Sequence, residues 1–203
     1  MNASPSTRPN RAFSLLLIAV VGAALILLLL MPRGERNRGV AHAAVGAKVQ
    51  QLDLQPLTGD GEPLSAGELR GKVTLLNYWG PWCPPCQIEF PHLVELQGHF
   101  RSSSDFLFLS VSCSGGPGDD VAMEPSTAAF LAAQKAGFPT YRDAFQRSRD
   151  HLSQAAQLGG FAYPTTVVLD RQGVIRGLWV GYQSGDEVGM QQVIEEVLRK
   201  PQG

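Results

Sequence analysis

A hydrophobic strand runs straight into a helix through Trp82-Cys83-Pro84-Pro85-Cys86, and this junction constrains the fold more than any other feature of the chain. The strand reads Val73-Thr74-Leu75-Leu76-Asn77-Tyr78-Trp79, and the helix is expected from Pro84 to about Phe100. Cys83 then stands at a helix N-terminus, where unpaired N–H groups and the macrodipole favour a thiolate. Pro84 and Pro85 suit the first turn, whose N–H groups have no helical partner anyway. Two thiols at this spacing can close into a disulfide. The thiolate is the reactive species in thiol–disulfide exchange, so the pair is the candidate reactive centre.

Other uses of a short cysteine pair fit less well. A zinc site needs two more ligands. The chain offers only Cys113 and the scattered His42, His92, His99 and His151. Covalent haem attachment wants a histidine directly after the second cysteine, and Gln87 is there. A purely structural bridge across so short a loop removes little chain entropy. Three cysteines in 203 residues suit a redox pair plus one spare rather than a disulfide scaffold. The formal net charge is −1, and no basic patch or Arg/Lys-rich helix points to nucleic acid.

The N-terminus carries a separate signal. Phe13 to Met31 is a 19-residue run whose only polar member is Ser14. At about 1.5 Å per residue it nearly spans a bilayer core. A cleavable signal peptide has a shorter apolar region, about 7–15 residues. Ala41-His42-Ala43 lies far beyond the run for a cleavage site, and no cysteine follows the run to take a lipid. An uncleaved signal anchor is the expectation. Arg8 and Arg11 precede it, while Arg33, Arg36 and Arg38 follow it, so the positive-inside count does not favour an N-inside topology. The short N-terminus and the dithiol motif still favour N-inside, with the soluble part outside the cytoplasm, where disulfides form. The expected organisation is a cytoplasmic N-terminus over residues 1–12, a span over 13–31, a tether over 32–48 and one domain over 49–200.

Within the domain, residues 52–57 alternate as a short strand, and Gly59-Asp60-Gly61 is a turn. Residues 62–71 are expected to hold a short helical turn. Residues 106–112 form a near-continuous apolar run, as in a parallel strand buried on both faces. Ser114 to Gly118 reads as a loop. Ser126 is expected to cap a helix through about Ala136. A short strand is expected over 138–141 and a helix over 146–158, ended by Gly159-Gly160. Residues 165–169 and 174–180 are strands about a hairpin turn at Asp170-Arg171-Gln172-Gly173. Residues 186–199 form a closing amphipathic helix. This order predicts an α/β fold with a mixed central sheet and helices on both faces.

The chain from about residue 50 to 199 resembles the thioredoxin fold, and more narrowly the membrane-anchored TlpA/ResA-type thiol-disulfide oxidoreductases. The resemblance rests on Gly71-Lys72, Leu76-Asn77-Tyr78-Trp79, Trp82-Cys83-Pro84-Pro85-Cys86, Glu89, Pro91, Tyr163-Pro164-Thr165-Thr166, Leu169-Asp170, Gly173 and Gly181. It implies a thioredoxin-like fold with an N-terminal strand extension and a central αβ insertion over 115–145, preceded by one transmembrane helix. It implies that Cys83 is an exposed nucleophile and that buried Cys86 resolves the mixed disulfide. Pro164 resembles the family's cis-proline, whose bend frees the backbone of Tyr163 to pair with an extended substrate. Trp82 is expected as a partly exposed wall for docking, Trp79 as core, and Pro91 as a helix kink.

Asn77 stands where thioredoxins place a buried acid, and asparagine cannot titrate. Glu89, three residues after Cys86, is the expected replacement, and the resembled branch has glutamate there. Cys113 reads as a small, semi-buried hydrophobe. No cofactor is implied. The expected clients are proteins bearing disulfides, apocytochrome c among them, with a membrane electron donor of DsbD/CcdA type. A copper chaperone binding through Cys83 and Cys86 is the alternative, although copper-delivery relatives of this fold space the pair more widely and add a distal histidine. A peroxiredoxin-type peroxidase wants a Pro/Thr pattern before its cysteine, and Gly80-Pro81-Trp82 does not supply it.

Overall fold

A computed structural model describes residues 37–116 and 120–200. The expected span at residues 13–31 lies outside the described residues, among which no helix is long and apolar enough to cross a membrane.

Among the described residues, seven strands form one sheet: β1 (Asp53–Thr58), β2 (Leu64–Ser65), β3 (Val73–Trp79), β4 (Phe106–Ser112), β5 (Thr140–Arg142), β6 (Thr165–Leu169) and β7 (Ile175–Val180). Their spatial order is β2-β1-β5-β4-β3-β6-β7. β3, β4 and β5 are parallel, and β1, β6 and β7 join antiparallel. The helices are α1 (Pro84–Phe100), α2 (Asp120–Ala133), α3 (Arg147–Ala155) and α4 (Asp186–Arg199). This is the thioredoxin-like mixed sheet expected from the sequence.

Every residue of β3 is buried, as a central strand covered on both faces requires. Alternation then sorts its side chains. Val73 and Leu75 pack with Leu93, Leu96 and Phe100 of α1 and with Met190, Val193 and Ile194 of α4. Leu76 and Tyr78 face the other way, with Leu54, Leu109, Val111, Val167 and Leu152. Asn77 and Trp79 share the parity of Leu75, so they fall on the α1 side.

Several boundaries differ from expectation. Residues 62–71 supply a two-residue strand, Leu64 opposite Leu54 and Ser65 opposite Asp53, followed by turns rather than helix. β5 begins later than predicted. α2 begins six residues before Ser126. That serine is an interior helix residue whose hydroxyl donates to the Met123 carbonyl (3.1 Å), not a cap. Thr127, next to it, is fully buried and hydrogen-bonded to Ser112 at 2.7 Å, which ties α2 to the end of β4.

The segment read as a tether is, from residue 37 onward, part of the domain. Gly46 N–H donates to Ile175 O (2.9 Å), Ile175 N–H to Ala47 O (2.8 Å) and Leu178 N–H to Gly39 O (3.0 Å). Gly39 lies flat against the Trp179 indole. A Cβ there would stand 2.1 Å from Trp179 Cε2. Small residues without apolar period gave no sequence signal for this packing, because it is backbone that touches the ring.

Candidate active site

Cys83 is the N-cap of α1, in extended conformation, with Pro84 and Pro85 in the first turn. Its sulfur accepts the Cys86 N–H at 3.3 Å, and its carbonyl accepts Gln87 N–H at 3.1 Å. Cys83 and Cys86 are joined as a disulfide, with Cα atoms 5.2 Å apart. The two sulfurs sit over a cluster of Trp79, Phe90 and Leu131, with Phe130, Phe138 and Tyr163 against it. Cys83 is only 3% exposed, which corrects the expectation of an exposed nucleophile: in the disulfide state both cysteines are buried. The apolar cluster holds the bridge, and access to Cys83 has to come through its immediate wall.

That wall is aromatic. Trp82 is 45% exposed, donates its indole N–H to Cys113 O (2.9 Å), and meets Tyr163 edge-on at 5.4 Å. The Tyr163–Pro164 bond is cis. The Pro164 carbonyl accepts Gly181 N–H at 2.7 Å, and Thr165 Oγ1 donates to Ala162 O at 2.7 Å, so the loop is held on both sides.

Behind the disulfide lies a buried polar triad. Asn77 Nδ2 donates to Glu89 Oε2 (3.0 Å) and to Thr166 Oγ1 (2.8 Å), and Thr166 Oγ1 donates to Glu89 Oε1 (2.8 Å). Glu89 is 1% exposed. Burial pushes its carboxyl up from the ordinary 4.5 to about 7, against the pull of the Thr166 and Asn77 donors. The non-titrating Asn77 thus holds the titrating group on the neighbouring helix.

Cys113 is buried, and its thiol points to the Val111 carbonyl (3.7 Å). Burial pushes it up to about 12, so it is a poor thiolate near neutrality. Trp79 is fully buried, with its indole N–H on Ser110 Oγ at 2.8 Å.

Sequence reasoning missed the roles of Thr166, Arg149 and Asp143. Arg149 donates to the Tyr163 hydroxyl, and its Nε lies 3.4 Å from buried Asp143. Asp143 also accepts the Ser148 and Arg149 N–H groups at the start of α3. The only available signal was Thr166, two residues beyond Pro164 and opposite Asn77 in the sheet register.

A groove of about 350 Å³ adjoins the site, lined by Pro81, Trp82, Cys113, Ser114, Ala122 and Met123 among others. A roomier cavity of about 670 Å³, around Lys48, Asp53, Ser65 and Arg70, holds none of these groups. Among the described residues, no three His, Cys, Asp or Glu side chains are grouped to hold a metal ion.

The AhpC/TSA family matches residues 45–178. The thioredoxin-like protein YneN of Bacillus subtilis is 31% identical over 140 residues, covering 68% of this chain and 74% of the relative. The thiol-disulfide oxidoreductase ResA of Geobacillus kaustophilus is 28% identical over 148 residues, covering 71% and 74%. A thiol:disulfide interchange protein of the thioredoxin family from Chlorobium tepidum superposes with a TM-score of 0.54. It is 24% identical and covers 75% of this chain and 98% of its own, a likeness of fold.

Proposed function

The chain belongs to the AhpC/TSA family, and from that premise we propose that it is a ResA-type thiol-disulfide oxidoreductase that reduces disulfides in client proteins outside the cytoplasm. The observation that carries this reading is the Cys83–Cys86 disulfide capping α1 beside cis-Pro164, with a buried carboxyl behind it. Relatives named thiol-disulfide oxidoreductase support the reaction class.

In the reduced enzyme, Cys83 as thiolate attacks one sulfur of a client disulfide. The client S–S bond breaks, a mixed disulfide forms, and the departing client thiolate takes up a proton. Cys86 then gives its proton to the Glu89 carboxylate and attacks the Cys83 sulfur. The 83–86 bridge closes, and the second client thiolate leaves and is protonated. Two electrons pass to the client with two protons, one from solvent at the first step and one from Cys86 by way of Glu89 at the second, and the enzyme is left as the disulfide described above. Trp82, the Tyr163 backbone and Pro164 hold the client strand, and the apolar groove past Trp82 takes a neighbouring client side chain.

The enzyme must be re-reduced. A membrane dithiol donor of DsbD/CcdA type fits that need, and apocytochrome c, whose cysteines must be reduced before haem attachment, fits as client. Residues 13–31 serve as the anchor, with the domain on the extracytoplasmic side. Carbonate-washed membranes are expected to retain the full-length chain, and protease added to intact spheroplasts is expected to cleave the domain. Protection of the domain would reverse the topology.

The central test is Cys86→Ser expressed in intact membranes. Without the resolving thiol, mixed disulfides through Cys83 should accumulate as dithiothreitol-sensitive adducts whose partners can be identified. Adducts that persist when Cys83 is also replaced, or none at all, would overturn the reading.

A further inference from the structure

Arg38 stands in the segment read from the sequence as a tether, yet its guanidinium makes four hydrogen bonds to the body of the domain. Its Nε donates to Asp186 Oδ1 at 2.7 Å, and its Nη2 bonds the other Asp186 oxygen. Its Nη1 and Nη2 also donate to the carbonyls of Val180 (3.1 Å) and Gly181 (2.7 Å). Gly181 N–H in turn holds the carbonyl of cis-Pro164. Asp186 is 7% exposed and also accepts Gln183 N–H at 2.8 Å. One guanidinium therefore fastens both ends of the 180–186 loop, and that loop fastens the cis-proline.

We infer that Arg38 is a positioning residue of the active site: it clamps the loop behind cis-Pro164 and, by pairing with Asp186, sets the charge that faces Glu89. The inference rests on the functional reading above and adds a residue to it. Nothing in the dithiol motif points to it, because Arg38 lies far upstream in sequence.

The strand register brings Arg38 close to Glu89: Val180, whose carbonyl Arg38 holds, pairs with Thr165, the neighbour of the Thr166 that donates to Glu89. Asn77 of β3 and Thr166 of β6 are neutral donors. Asp186 of α4 is an anion that raises the proton affinity of Glu89, and Arg38 is a cation that lowers it. Tyr182, in the loop before α4, feels Glu89 and stays protonated, its hydroxyl on Glu187 at 2.8 Å. On α1 itself, Cys86 and His92 lie one turn to either side of Glu89, and the His92 ring stacks on that of Tyr182 at 5.9 Å. Among these, Arg38 and Asp186 are mutual partners. Removing either one leaves the other uncompensated before the same carboxyl, with opposite sign.

The test follows the Glu89 carboxyl by ¹³C NMR through a pH titration. It uses the full-length chain in detergent micelles, and the Glu89→Gln spectrum identifies the signal. Arg38→Gln should move the Glu89 midpoint upward by about 0.5 pH unit or more, as an unpaired neighbouring anion would. Asp186→Asn should move it downward by a similar amount, and the double variant should return it close to the starting value. The alkaline shift in Arg38→Gln should reappear in the pH profile of disulfide exchange. Shifts of the same sign, or unmoved midpoints with lowered melting temperatures, would leave Arg38 a structural clamp and overturn the inference. Should Arg38→Gln fail to fold, Asp186→Asn and the double variant carry the same comparison. The titration reads a carboxyl and not a turnover, so it stands apart from whether any client disulfide is reduced.

Discussion

Glu89→Gln is expected to slow closure of the 83–86 disulfide about a hundredfold near pH 7, the low end of the range for general acid–base assistance. The expectation stands on where the carboxyl is, not on its mere presence. Glu89 lies one helical turn beyond Cys86, is sealed from solvent, and is tuned by burial to about 7. A base of that affinity can take a proton from a thiol and return it within one cycle. Glutamine keeps the shape and one acceptor for the Thr166 and Asn77 donors but cannot accept the proton. The defect should shrink as pH rises past about 8.5, where an ordinary thiol ionises unaided. Stopped-flow exchange with a dithiol–disulfide substrate checks this, and an unchanged rate–pH profile would remove Glu89 from the mechanism.

The same carboxyl links stability to pH. Its folded affinity is raised above the ordinary 4.5, so folding favours the protonated form. That contribution is complete below about pH 4.5, drains as pH rises toward about 7, and levels off above. The wild-type melting temperature should therefore fall relative to that of Glu89→Gln across this window. A parallel pair of curves would mean that burial does not tune Glu89.

Trp79→Ala is expected to cost about 3–5 kcal/mol, the range for deleting a buried aromatic side chain. The indole has no exposed surface. It lies 4.4 Å from the Phe90 ring and 5.0 Å from that of Phe130, and it is hydrogen-bonded to Ser110. Alanine would open a cavity under both cysteines and strand the Ser110 hydroxyl. Against a typical total of about 5–15 kcal/mol, this is a large share of the fold's stability. Trp79→Phe should cost less, since it refills most of the space and loses chiefly the hydrogen bond, about 1–3 kcal/mol. Thermal melts of the two variants measure both, and a loss below about 1 kcal/mol for alanine would show that the cluster collapses around the gap.

What the sequence made legible follows its local periodicities. β3, α1, β4, β6 and α4 fell where apolar runs and turn residues placed them, and the Asp170–Gly173 hairpin is where its turn chemistry put it. The cysteine pair was nameable from its spacing, and the cis-proline and the glutamate from the family resemblance. The partners of that glutamate were not. Asn77 and Thr166 lie 12 and 77 residues from it along the chain, and only the sheet register brings them together. Arg149 carried no local signal, because the hydroxyl it meets belongs to a loop in another part of the fold. The segment from residue 37 was opaque for another reason. Glycine and alanine carry no amphipathic signal, yet they are the residues that let backbone lie against Trp179.

That close approach has a consequence for how copies of this protein behave when crowded. β7 is the last strand on its side of the sheet. Bare outer strands present unpaired N–H and C=O groups that template sticking between molecules. Here Ile175 and Leu178 already spend their outward groups on residues 39, 46 and 47 of their own chain. The lead-in thus covers this edge against strand addition, and a larger residue at position 39 would lift that cover and leave β7 open to strands of neighbouring molecules.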